Sequence, residues 1–447
     1  MNSTSEVTHS PASGNAGVRL VTPQETQAIV AKSLRRRYWA ERRFRAYGAA
    51  AVLLGVLFVL FLFTTIFSNG VGAFQQAQIQ LDVFYDPELI DPAGTRAADD
   101  LAVADYGAIL RASLQKEFPE VAGRRDKREL ARLLSSSAPF VLQERVQANP
   151  ALIGTRDTLW VIASDAVDLM KKEKIDRSLP AEQRPLSDQQ LAWFDALTER
   201  GDLELKFNRT FFTTGDSRDP ENAGVWGAVM GSVFMLLLTL LLSFPIGVAT
   251  AIYLEEFAPR NRWTDLVEVN INNLAAVPSI VFGLLGLAVF INFFGLPRSA
   301  PLVGALVLTL LTLPTIIIAS RAAIKSVPPS IREAALGMGA SKIQTVAHHV
   351  LPLALPGMLT GTIIGMARAL GESAPLLMIG MVAFIVDVPQ GFTDPSTVLP
   401  VQIYLWSDSP ERGFVEKTSG AIIVLLAFLV VMNAAAVILR NKFEKRW

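Results

Sequence analysis

Six runs of about twenty residues or more are almost free of charge. A chain with that many has to fold in a bilayer, where only helices or closed barrels satisfy the backbone. The first, Tyr47–Phe67, has 21 residues and no charged side chain. The others are about Trp226–Leu254, Ile271–Phe294, Leu302–Ile324, Leu353–Val386 and Ala421–Leu439. Each is long enough for a helix to cross a hydrocarbon core about 30 Å thick. Composition agrees, since 51% of the 447 residues are hydrophobic and only 18% are charged. The basic stretch before the first run imitates a secretory signal. That signal's apolar core is usually about 7 to 15 residues, so an uncleaved anchor is expected.

Between the first and second runs the composition belongs in water. Residues 70–222 hold 26 acidic and 19 basic side chains, with turn signals at Asp91-Pro92, Asn149-Pro150 and Asp219-Pro220. Apolar residues recur at three and four in Leu101–Phe118, Asp126–Asn149 and Ser187–Glu199, which predicts a mainly helical or α+β domain. Asn208-Arg209-Thr210 fits a glycosylation sequon, a three-residue match too common to carry weight. There is no cysteine, which excludes disulfides, thiolate metal sites and cysteine nucleophiles. His9, His348 and His349 are too few and too badly placed for a histidine metal cluster.

Forty-one basic residues cancel forty-one acidic ones, so the whole chain carries no signal for nucleic acid. The zero is a sum over segments: +5 for residues 1–69, −7 for 70–222 and +2 for 223–447. Lys and Arg gather in cytoplasmic flanks. Eight precede the first span, two follow the second (Arg260, Arg262), four follow the fourth (Arg321, Lys325, Arg332, Lys342) and four end the chain (Arg440, Lys442, Lys445, Arg446). The short opposite loops hold Arg298, Arg412 and Lys417. Eighteen against three predicts both termini in the cytoplasm. The expected order is a basic cytoplasmic tail at 1–45, an anchor helix at 46–69, an extracytoplasmic domain at 70–222 and a core of five spans at 223–447.

Two stretches of that core are unusual. The polar segment 328–352 is built as helix: Ser330-Ile-Arg-Glu333 reads as a capping box, Gly337 and Gly339 interrupt, and Ser341 caps a second helix toward Pro352. The fifth span carries Gly357, Gly361 and Gly365 at steps of four, the spacing that lets membrane helices approach closely, together with Arg368 and Glu372. On a helical wheel these five share one stripe, which predicts that the charged pair faces protein and that the two side chains, one turn apart, neutralise each other. Ionised groups at that depth are costly and mark bundle interiors or aqueous paths. A guanidinium fork suits an oxyanion, so Arg368 and Glu372 are candidates for a translocation path, against a purely structural ion pair. Gly337-Met-Gly339-Ala-Ser-Lys342 lacks the spacing of a phosphate-binding loop, so ATP hydrolysis by this chain is not expected.

Glu333-Ala334-Ala335, then Gly339, then Leu351-Pro352 resembles the EAA loop of ABC importer permeases, with His349 where that family usually has isoleucine. Val277-Pro278-Ser279-Ile280-Val281-Phe282-Gly283-Leu284-Leu285-Gly286-Leu287 and Ala367-Arg368-Ala369-Leu370-Gly371-Glu372-Ser373-Ala374-Pro375-Leu376 are similar to motifs of the Pst-type phosphate permeases, in particular the PstA subunit. The second motif is also similar in the paired PstC subunit. The resemblance covers about 224–447, and the insertion at 70–222 resembles the extension of a longer PstA subgroup.

What the resemblance implies is an all-α polytopic permease of six transmembrane helices in a bacterial inner membrane. The chain would be half of a phosphate pathway, without enzymatic activity or cofactor of its own. Glu333, Ala334, Ala335, Gly339 and Pro352 would seat on a PstB-like ATPase dimer that uses the ATP. A PstC-like subunit would complete the pathway and a PstS-like periplasmic protein would deliver phosphate. Rival readings are a permease for sulfate or molybdate, the paired PstC-type subunit and a membrane-anchored sensor, although a sensor needs neither six spans nor such a loop. A secondary transporter would not need it either, and no inverted repeat is visible.

Overall fold

The computed structural model describes residues 22–381 and 384–443. Arg19, Lys445 and Arg446 of the charge count lie outside the described residues. The described residues fall into two units, divided between Thr65 and Ile66. The first is the greater part of helix α1, Pro23–Gly70. Pro23 sets the first helical turn, and Thr22 and Glu25 exchange backbone-to-side-chain bonds of 3.0 and 3.3 Å ahead of it. The helix then runs without interruption through the basic stretch and the apolar one.

In the second unit the water-soluble part is α+β. Strand β1, Gln75–Phe84, is flanked by β2, Arg156–Ile162, and β3, Leu203–Phe207, in the antiparallel order β2-β1-β3. Ala77, Ile79, Leu81 and Val83 alternate along β1 and are all buried, as period-two patterning requires of a sheet with one face on a core. Against that face pack α2 (Tyr106–Glu117), α3 (Ala138–Ala148), α4 (Asp165–Lys171) and α5 (Asp188–Arg200), with Phe118, Leu142, Val167 and Leu197 in the core. Ser187 caps α5 in a reciprocal box with Gln190, and Gly201 ends it in the left-handed conformation. Asn208 of the sequon is buried: its amide donates to the Ala73 carbonyl at 3.0 Å and its oxygen accepts the Phe211 N–H at 2.9 Å.

The membrane part consists of α6 (Trp226–Ile252), α7 (Arg262–Ala275), α8 (Ser279–Gly286, continued as a π-helical stretch to Phe293), α9 (Pro301–Lys325), α10 (Pro329–Gly337), α11 (Lys342–Thr345), α12 (Leu351–Gly371), α13 (Ala374–Met378), α14 (Leu399–Ser407) and α15 (Gly413–Phe443). Among the described residues five helices are long and apolar enough to cross a bilayer, and the bent pair α7–α8 makes a sixth when the two are counted as one span. That span is not the continuous helix expected over Ile271–Phe294. It bends by 102° at residues 276–278, because Pro278 has no N–H to continue the ladder and its ring disfavours helix at Val277. The expected span Leu353–Val386 is likewise interrupted. α12 stops at Gly371, whose carbonyl would clash with the Pro375 ring in a continuing helix. Lys417, counted above as a loop residue, stands in the first turns of α15.

Candidate translocation and coupling site

The two interrupted spans meet. A Cβ built on Gly283 of α8 would come within 2.7 Å of the Cα and carbonyl oxygen of Pro375 in α13, so only glycine lets the helix seat against that break. Next to this contact, α12 ends with Arg368 in its last turn and Glu372 at its cap, where the Glu372 N–H bonds the Ala369 carbonyl at 3.3 Å. Ser299, from the loop before α9, donates its hydroxyl to the Gly380 carbonyl at 2.6 Å and ties down the segment after α13.

Along the rest of α12 the glycines form a seam with α9. Added Cβ atoms on Gly357 and Gly361 would strike the Cβ atoms of Ala323 and Ala319, the first at 2.7 Å. Gly365 has more room, its nearest neighbour being the Ile316 side chain at 3.7 Å. Arg368 is not on this packed face, contrary to the stripe expected above. Its side chain is 49% exposed and that of Glu372 18%, and their contact is a loose 3.5 Å from Nε to Oε1. Angle does not explain the difference, since Arg368 falls between Gly357 and Gly361 on the wheel; the seam is tight at those two and has already loosened at Gly365, one turn before the arginine. Ile364 and Gly371 beside it are also exposed. The arginine therefore stands at the edge of an open helix face, next to buried Ala369 and Leu370.

The polar segment 328–352 also differs in detail. Ser330 does not cap α10. Pro329 takes the first helical position, where its fixed φ is preorganised, and Pro328 becomes the cap, which leaves Ser330 inside the first turn and Glu333 exposed. The helix ends in a Schellman motif: Gly339, at φ +88°, donates to the Leu336 carbonyl, and Ala340 donates to that of Ala335. Ser341 and Gln344 form the reciprocal box that starts α11. Of the candidate coupling residues, Glu333, Ala334 and Gly339 are exposed, Pro352 is half-buried, and Ala335 is buried and anchors the helix. Leu336 (51%), Met338 (81%) and Ile343 (69%) lie exposed beside them. Sequence reasoning passed over these three. Apolar side chains crowding an otherwise polar glycine-containing loop were the available signal.

A multi-pass helical membrane subunit, with an open face carrying an arginine at a helix break and a capped polar loop presenting exposed apolar side chains, is the class this geometry defines. Residues 243–447 match the family described as "Binding-protein-dependent transport system inner membrane component", and residues 31–181 match a domain of unknown function (DUF3333). The chain is 30% identical over 255 residues to the "Probable ABC transporter permease protein YqgI" of Bacillus subtilis (strain 168), which covers 54% of this chain and 86% of that one. It is 32% identical over 223 residues to the "Phosphate transport system permease protein PstA 1" of Mycobacterium tuberculosis (strain CDC 1551 / Oshkosh), covering 50% and 72%. A solved inward-facing structure of the MetNI methionine ABC transporter aligns over 49% of this chain and 98% of that one, at 19% identity and a TM-score of 0.41. The chain belongs to the inner-membrane permease family of binding-protein-dependent ABC transporters.

Proposed function

We propose that this permease forms half of the translocation pathway of an ATP-driven phosphate importer. One observation carries the reading: Arg368 and Glu372 stand together at the break of α12, on a face this chain leaves open for a second subunit. The relatives named as phosphate transport permeases support the substrate. In this reading a PstC-like subunit covers the open face. Arg368 offers its planar fork to the anion, while the Glu372 carboxylate keeps binding weak enough for release. The excess of Lys and Arg in alternate loops supports cytoplasmic termini, which puts 70–222 outside, where a PstS-like protein delivers phosphate. Glu333, Ala334, Ala335, Gly339 and Pro352 then face a PstB-like ATPase dimer. ATP is bound and hydrolysed there, and this chain holds no cofactor.

The glycine seam lets α12 follow α9, so displacement of the loop reaches the helix that carries Arg368. The test is ATP-dependent uptake of labelled phosphate by the assembled importer. Arg368→Gln should lower uptake about a hundredfold, as loss of one preorganised donor to an anion does, while the complex still copurifies. Wild-type uptake in that variant would make the pair structural. Competition by sulfate or molybdate rather than by unlabelled phosphate would reassign the anion.

A further inference from the structure

Helix α6 does not end in a regular turn: Tyr253–Phe257 is π-helical, and it turns two consecutive carboxylates inward, Glu255 with 12% and Glu256 with 10% of its side chain exposed. Successive residues on a regular helix point about 100° apart, so both rarely find buried cationic partners. Here each has its own. Glu255 pairs with Arg321 of α9, and Lys325 approaches it at 3.3 Å. The other end of the Arg321 guanidinium reaches Glu268 of α7 at 2.8 Å. Glu256 accepts from both Nε and a terminal nitrogen of Arg332, at 3.1 and 2.8 Å. Arg332 belongs to α10, two residues before the exposed Ala334, and its remaining donors cap the end of α9 through the carbonyls of Val327 (2.8 Å) and Ile324 (2.9 Å).

One guanidinium thus joins three segments: the end of α6, the end of α9 and the helix that opens the 328–352 loop. A guanidinium that grips one carboxylate oxygen, Oε1, with two of its N–H groups fixes orientation as well as distance, and its buried partner cannot leave without stranding a charge. We infer that the Arg332–Glu256 pair, backed by Arg321 between Glu255 and Glu268, is a strap that makes α10 move as one body with α6 and α9. Arg332 and Glu256 are positioning residues: they touch neither anion nor nucleotide, and they carry displacement of the loop to α9 and, across the glycine seam, to α12. This rests on the reading of the chain as an ATP-driven phosphate permease.

The strap is tested on the complete importer in proteoliposomes, by phosphate uptake and ATP hydrolysis measured together. Glu256→Gln removes the charge, and Arg332→Lys keeps it but gives up the fork and the two carbonyl bonds. Phosphate taken up per ATP should fall about tenfold in Glu256→Gln and by less in Arg332→Lys, in the range by which mutations along a coupling network act. Hydrolysis, copurification of the ATPase and the half-saturating phosphate concentration should stay near wild type. Unchanged transport per ATP in both variants overturns the strap. So does a fall in uptake and hydrolysis together with loss of the ATPase in both, since the pair would then only shape the docking surface. A wild-type importer that hydrolyses ATP but moves no phosphate would instead overturn the substrate, and the strap would still be read with sulfate as the transported anion.

Discussion

Gly361 shows how much one side chain decides in this fold. A Cβ there would overlap the Cβ of Ala319, because α12 and α9 approach until their backbones nearly touch. Gly361→Leu adds volume where neither helix can yield and should destabilise the subunit by about 1 to 3 kcal/mol. Thermal unfolding in detergent reads this as a lower midpoint. Gly365→Ala is the control: its nearest neighbour is 3.7 Å away, so it should change little, and equal losses in the two variants would remove the seam argument. The spacing of four was legible in the chain itself, since small residues at that step mean close helices whatever the neighbour. Which glycine bears the contact was not, because it depends on where α9 crosses. The same limit applies to Arg368. Its angle on the wheel was readable, but how far along α12 the seam stays closed depends on the course of α9.

At the scale of elements, length and hydropathy located the long apolar runs, and the depth of the interruptions inside them was not legible because a twenty-residue average passes over it. Pro278 and Pro375 were the marks of the two breaks, and each stands inside an apolar stretch that hides it. Strand β1 escaped for the opposite reason: its alternation of Ala77, Ile79, Leu81 and Val83 with glutamines and an aspartate is too polar on average to attract notice. In the 328–352 loop the caps divide neatly. Ser341 was legible as a cap and is one, whereas Pro329 overrides Ser330 by offering the helix an earlier start. Gly339 is in the left-handed region with nothing within 4 Å of an added Cβ, so its glycine is required by conformation and not by space. Gly339→Val should therefore cost about 1 to 2 kcal/mol at the end of α10, and Gly339→Asn, which tolerates that region, distinctly less. ATPase copurification is the readout, and a valine variant that binds as well as the asparagine one would show that the turn does not shape the docking surface.

For the molecule as a whole, the tie between the water-soluble part and the last membrane helix is ionic and buried, and its members are too far apart in sequence for any pattern to assemble them. Lys172, the residue that ends α4 as its C-cap, bonds Asp168 at 2.6 Å and Glu416 of α15 at 2.7 Å, with no more than a tenth of any of the three side chains exposed. Asp168 also accepts the Ala77 N–H of β1 at 2.6 Å. Asp165 lies against Gly413, and Lys417 packs over the Phe211 ring at 5.2 Å. Four carboxylates (Asp165, Asp168, Glu221, Glu416) thus share this junction with two ammonium groups. Burial, and then the charges of Glu221 and Asp168, push the Asp165 carboxyl up to about 7, against the opposing pull of Lys417 and Lys172. Burial likewise raises Glu221. Because the folded junction holds a proton that the unfolded chain gives up near pH 4, it binds more protons than the unfolded state between about pH 4 and 7. Stability must then fall as pH rises through that window. The fall amounts to a few kcal/mol, since each tenfold change in proton affinity is worth about 1.4 kcal/mol. The unfolding midpoint of the purified subunit should be higher at pH 5 than at pH 8. Asp165→Asn, neutral at every pH, should flatten most of that slope, and a variant that keeps the wild-type slope would mean that the proton resides elsewhere in the molecule.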